Sequence, residues 1–315
     1  MAQRACTVFI SCSSFASGLE FYTDELGFRL DMIMPADAPR VAIVSGYGIF
    51  VRLESAHRNA ARTPLENETF VICRNSSAEA WSLGRAGMLY RDLIPERLSG
   101  RFIASHIRIA DGGPVPDYVH YHRVRFQMIY CRRGWVRVVY EDQGPEFVMH
   151  AGDCVLQPPE IRHRVLESST GLEVVEIGTP AEHETWRDHG LALPNAVLRP
   201  ERDFGGQRFV RHVAADARWQ RSDEGFEFRD CGIGEATGGL ASVRVLRAIA
   251  PALRWRPAGE FLFFYVLKGE MRLNSDAYGS HRLASDDSCV VPTGIALQVD
   301  ADADCEMLEV RLPGR

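Results

Sequence analysis

The sequence predicts a mainly β protein: two β-barrels preceded by a small βαβββ α+β module. Two observations predict it. From Arg101 to Thr179, and again from Phe209 to Leu312, almost every segment is a short strand-like run punctuated by Gly, Pro or Asp, the rhythm of a barrel or sandwich. Before them, a capped helical stretch lies among short β-branched runs.

Taken in order, Thr7 to Ile10 is β-branched and apolar and reads as a strand. A helix is expected over Phe15 to Leu26, with Ser14 as N-cap and Gly27 as terminator. Short strands follow at Arg29 to Met34, Val41 to Ser45 and Ile49 to Leu53, with turn residues between them. Ser55 to Gly100 is mixed, with one strand expected at Thr69 to Cys73 and one helix at Ser77 to Arg85. Leu191 to Gly206 carries two prolines and little periodicity and reads as a connector. The expected organisation is therefore a module over 1–58, a connecting segment over 59–100, a barrel over 101–190, a linker over 191–207 and a second barrel over 208–315. The two barrels share length and rhythm, which points to a duplicated module.

A chain of 315 residues can bury two or three separate cores, and 46% apolar with 25% charged residues is the composition of an ordered globular protein. A net charge of −6 gives no support for nucleic-acid binding, which needs a basic surface. Lys268 is the only lysine, so any Schiff-base mechanism rests on it alone. The eight cysteines (Cys6, Cys12, Cys73, Cys131, Cys154, Cys231, Cys289, Cys305) contain no CxxC pair and read as reduced thiols. The N-terminal segment lacks a signal-peptide h-region, and the longest apolar run, Phe261 to Leu267, is too short to span a bilayer. A cytoplasmic protein with a small-molecule substrate and no membrane or nucleic-acid partner is expected.

The stretch that carries chemistry is GPVPDYVHYHRVRFQMIYCRRG, Gly113 to Gly134. In a strand, residues i and i+2 share a face, so His120 and His122 can both face a barrel interior. Gln127 lies past a turn and can enter the same space from the next strand. Downstream, Gly152-Asp153 sets a turn, a strand follows, and Pro158-Pro159 bends the chain so that His163 returns inward. Three imidazoles and an amide oxygen suit a borderline divalent ion such as iron, manganese, nickel, copper or zinc.

These two segments resemble the paired motifs of the cupin superfamily, G-x5-H-x-H-x3-4-E-x6-G and G-x5-P-x-G-x2-H-x3-N. The resemblance implies two cupin jelly-roll (double-stranded β-helix) barrels, with His120, His122 and His163 as metal ligands and Gly134, Gly152 and Pro158 as structural turns. The sequence departs from the pattern at several places. The first spacer has six residues, Glu160 replaces the second motif's glycine, Leu166 or Glu167 stands where asparagine ends it, and Gln127 replaces the glutamate ligand. A neutral amide leaves the full +2 charge on the ion and removes the obvious carboxylate base. The family contains both lyases with glutamine at this position and dioxygenases with three-histidine sites.

The second β block lacks the ligands. Aligning Gly269 with Gly134 sets Trp255, Pro257 and Leu262 at the ligand positions, and aligning Pro292 with Pro158 sets Leu297 where His163 stands. That barrel is expected to hold no metal and to serve packing, dimerisation or shaping of the first site. The run FYTDELGFRL from Phe21 resembles the helix-to-strand junction of the glyoxalase/bleomycin-resistance (vicinal-oxygen-chelate) superfamily. Glu54 fits that family's last-strand ligand, but Thr7 stands at the first-strand histidine, so a degenerate half-module for oligomer contacts or a lid is the expectation. The expected assembly is a homodimer.

Among other candidates, His106, Tyr130 and Glu176 lie on strands near the motif and are the acid/base candidates. Tyr118 could reach a bound oxygen, although packing is its default. His183 and His189 are six apart, outside the barrel segments, and read as structural; Cys131 and Cys154 read as buried thiols. The functional expectation is a metal-dependent enzyme acting on a small oxygenated or carboxylated metabolite. A non-haem dioxygenase ranks marginally ahead of a Lewis-acid isomerase or lyase, and the alternative of another class is a non-catalytic metabolite-binding or sensor protein.

Overall fold

The fold is that of a computed structural model, which describes residues 7–56, 70–75, 81–249 and 253–313. It is mainly β, built from two barrels packed back to back with the N-terminal module continuing one sheet of the first.

In the N-terminal block the strands Thr7–Cys12, Arg29–Met34, Val41–Gly46 and Ile49–Ser55 and one helical stretch appear in the expected βαβββ order. The first and last strands pair in parallel, Thr7 with Phe50. Ser14 caps the helix, its hydroxyl accepting from the Ser17 N–H. The helix Phe15–Glu20 then widens into a π-helical turn, Phe21–Glu25. Met32 and Ile33 pair with Trp186 and Thr185, so this module adds its strands to the outer sheet of the middle barrel.

The connecting segment is not a passive tether. Val71–Cys73 adds a strand to the second barrel, and Leu89–Asp92 pairs with Ile103–Ile109 of the first. The helix expected over Ser77–Arg85 is not found where that stretch is described: Ser82–Leu83 is a strand paired with Leu89–Tyr90. Edge pairing outweighs the local helical preference of a short polar run. Residues 77–80 of that stretch, and Thr69, lie outside the described residues.

The barrels meet through their broad sheets. Phe126, Met128, Tyr130, Val175 and Ile177 of the first face Val243, Phe263, Tyr265, Leu308 and Val310 of the second in one continuous core. The Phe102 and Phe261 rings stack across this interface, centroids 4.1 Å apart and planes within 12°. The second barrel fills its own interior with Phe226, Trp255, Leu262, Phe264, Leu297 and their neighbours.

Candidate metal centre

His120 and His163 are paired opposite one another on antiparallel strands His120–His122 and His163–Ser168, and alternation brings His122 to the same face as His120. One nitrogen from each of these buried rings lies within 4.8 Å of those of the other two; among the described residues no other cluster of His, Cys, Asp or Glu has this geometry. The rings are oriented from behind. His120 Nδ1 donates to the Tyr118 carbonyl (2.8 Å) and His163 Nδ1 to the Ile161 carbonyl (3.0 Å), while His122 Nδ1 shares a hydrogen bond with Thr185 Oγ1 (3.0 Å). With Nδ1 engaged in each ring, Nε2 is the nitrogen available to an ion. Asp117 ties the two ligand strands together, accepting from the N–H groups of Tyr118 (2.8 Å) and Val165 (2.9 Å).

Gln127 enters the same cavity from the facing sheet, on the strand Phe126–Arg133. Its Nε2 donates to Glu176 Oε1 at 2.9 Å, and its buried Oε1 has no hydrogen-bond partner among the described residues. A buried amide oxygen left this way is costly unless a further partner completes it. Three oriented imidazoles and that oxygen form a neutral donor set suited to a divalent transition ion.

The turns around the site follow the motif, including its departure. Gly134 and Gly152 have φ of 76° and 99°, and a Cβ on Gly134 would lie 2.3 Å from Ser169 Oγ. Glu160, standing where the motif has glycine, adopts φ 60°, so the backbone keeps the left-handed turn although the residue has changed.

Of the acid/base candidates, Glu176 lines the cavity, whereas His106 and Tyr130 do not. The reason is alternation: Ser105, Ile107 and Ile129 take the inward positions and turn His106 and Tyr130 to the inter-barrel side. There His106 Nδ1 accepts from Arg91 Nη2 (3.1 Å) and Nε2 donates to Glu173 Oε2 (3.0 Å). Burial among apolar neighbours raises the Tyr130 hydroxyl pKa far above the usual tyrosine range.

His183, read from the sequence as structural and outside the barrel, lines the cavity, its ring 5.3 Å from that of His122. Burial lowers its pKa below the ordinary imidazole value. Tyr140 stacks on His163 (5.4 Å) and accepts from Gln157 Nε2 (3.0 Å) through its hydroxyl oxygen. Thr185 and Tyr140 lie outside the motifs and Asp117 occupies an unspecified position between the motif glycine and His120, so only the strand register reveals them. His189 lies away from the cavity, its Nε2 bonded to the Leu30 carbonyl and Asp31. In the second barrel Trp255 pairs with Leu297, the position that His120 and His163 hold in the first, and both are buried in apolar core.

Residues 105–178 match the cupin domain family, so the middle barrel is a cupin domain. Solved structures share the fold over 72–81% of the chain. A point mutant of Bacillus subtilis oxalate decarboxylase superposes with a TM-score of 0.52 at 14% identity, covering 72% of this chain and 73% of that one. A second structure of the B. subtilis enzyme, described for its Mn(II) centres, gives the same TM-score at 13% identity and the same coverage. The E. coli protein Ylba superposes with a TM-score of 0.56 at 11% identity, covering 81% of this chain and 96% of that one. No curated protein sequence matches the chain. Among the described residues no helix is long and apolar enough to cross a membrane.

Proposed function

We propose that the middle barrel is the site of a metal-dependent enzyme acting on a small oxygenated or carboxylated compound, and that its chemistry is that of a non-haem dioxygenase. The observation that carries this reading is the convergence of His120, His122, His163 and the Gln127 amide oxygen on one apolar-walled cavity. A divalent metal held there would supply open positions for substrate oxygens and, as iron, the electron transfers that O2 requires. Tyr118, Ile161 and Thr185 fix the rings. Ile103, Ile129, Val138 and Val165 exclude water from the space beside them.

One observation favours a second reading, Lewis-acid isomerisation or elimination. Glu176 places a carboxylate on the cavity wall beside Gln127, where it can take a proton from a substrate carbon. The Mn(II) centres of the B. subtilis decarboxylase support manganese as a candidate beside iron. Metal analysis of protein purified without added metal, together with oxygen uptake on keto acids, diketones and catechols, tests the choice. Bound iron with oxygen consumption is expected. Manganese, nickel or zinc, with no uptake by the iron-loaded form, would transfer the assignment to proton-transfer chemistry.

A further inference from the structure

One wall of the cavity comes from the N-terminal module, where the turn after Arg29–Met34 contributes Pro35, Ala36 and Asp37. Asp37 is only 9% exposed. Its Oδ2 takes an ion pair from Arg97 Nη2, while Oδ1 is buried with no hydrogen-bond partner among the described residues. A buried carboxylate oxygen without a donor is costly to keep, and this one belongs to a residue lining the same cavity as the three imidazoles.

The surroundings hold Asp37 in place without completing it. Arg97 also pairs with Asp92 (3.2 Å), so two carboxylates share one guanidinium. Arg97 sits in a left-handed turn in which Glu96, Arg97, Leu98 and Ser99 have φ of 64°, 53°, 47° and 60°. Four consecutive side-chain-bearing residues in that region cost free energy and persist only where their surroundings over-determine them. The turn is pinned to the cavity rim twice, through Arg97 to Asp37 and through the Gly100 carbonyl, which accepts from the Ala181 N–H (3.0 Å). Among the described residues no arginine or lysine lines the cavity, so nothing described there is built to hold a second anionic group.

We propose that Asp37 is a substrate-recognition residue supplied by the N-terminal module, its Oδ1 accepting a hydrogen bond from a hydroxyl or ammonium group of the substrate. The substrate class follows: a compound with oxygen ligands at one end, an apolar middle and a hydrogen-bond donor at the other, rather than a compact dianion. The assignment rests on the metal reading of His120, His122 and His163.

The test uses hydroxamic acids, whose head group chelates divalent transition metals, with linear arms of one to five carbons ending in methyl, hydroxyl or ammonium. Binding to the metal-loaded full chain is measured by calorimetry. At one arm length the hydroxyl- or ammonium-ended probe is expected to bind about tenfold tighter than its methyl counterpart. Asp37→Asn should abolish the ammonium preference and leave the methyl-ended affinity unchanged. Equal affinity for all three endings at every length in the wild type, which needs no variant, would overturn the assignment, as would an ammonium preference that survives in Asp37→Asn. Failure of every probe to bind, in protein that retains no metal, would instead overturn the metal reading together with this one.

Discussion

Gln127 donates its amide N–H to Glu176 across two paired strands, 2.9 Å from nitrogen to oxygen. The register pairs Gln127 with Gly178 and Ile129 with Glu176, which makes the two side chains diagonal neighbours on one face. The amide nitrogen makes this contact, so the oxygen is the end that turns away from Glu176. Glu176 thus orients the proposed fourth ligand as well as lining the cavity.

Glu176→Leu is therefore expected to lower metal affinity by about 10–100-fold, the usual cost of losing a partner that orients a ligand. Glu176→Gln, whose amide oxygen can still accept from Gln127, should lose much less. Competition against a fluorescent chelator measures both. Wild-type affinity in Glu176→Leu would show that Gln127 is not held by this contact, or is not a ligand.

Metal binding should also register as stability. An ion that binds only the folded chain adds about 2.7 kcal/mol at a hundredfold excess over its Kd, which in a chain of this size raises Tm by several degrees. His120→Ala and His163→Ala should fold and lose that rise. A metal-dependent shift of wild-type size in either variant would remove the triad from consideration.

The three histidines and Gln127 are legible in the sequence because strand periodicity and turn residues are local properties. A two-residue spacing fixes a shared face whatever the rest of the chain does. The facing of His106 and Tyr130 is not legible, for the complementary reason. Which face of Ile103–Ile109 or Phe126–Arg133 points inward depends on where the second barrel packs, and no local signal carries that information. His183 and Asp37 reach the cavity, and Thr185 reaches the His122 ring, from segments outside the motif, so their roles exist only in the tertiary pairing. The connecting segment is opaque for a similar reason, its short strands being defined by the two sheets they extend.

Glu160 holds the left-handed conformation that a glycine adopts more readily, and its pairing with Arg123 (3.4 Å) is half exposed and of little energetic weight. Glu160→Gly relieves about 1–2 kcal/mol of backbone strain and gives back roughly 0.5–1 in unfolded-chain entropy. Unfolding stability should be unchanged or raised by up to about 1.5 kcal/mol in denaturant titration. A loss of that size would mean that the Glu160 side chain contributes beyond the contacts described.

Phe261 is 3% exposed and stacked on Phe102 between the barrels, whereas Phe264 is buried inside the second barrel alone. Phe→Ala at either position should cost about 3–5 kcal/mol. Only Phe261→Ala removes a contact that couples the barrels, so calorimetry should show its unfolding peak broadened or split and that of Phe264→Ala single. Indistinguishable peaks would argue that the barrels do not share a cooperative unit through this stack.

The inter-barrel network should set the acid limit of stability. The hydrogen bond from His106, reinforced by the charge of Arg108, holds the Glu173 carboxyl down to about 2, against an ordinary value near 4.5. A carboxylate with a depressed folded pKa contributes stability that is fully present above the unfolded value and is lost as pH falls through the folded one. The contribution should therefore be complete above about pH 5 and should be lost progressively as pH falls from there to below the folded value of about 2. Glu173→Gln removes the titrating group. Its stability at neutral pH should be lower than wild type, and its decline over that acid window shallower by the same amount. Parallel pH profiles for the two proteins in urea titrations from pH 2 to 7 would show that this buried contact does not link the barrels' stability to proton binding.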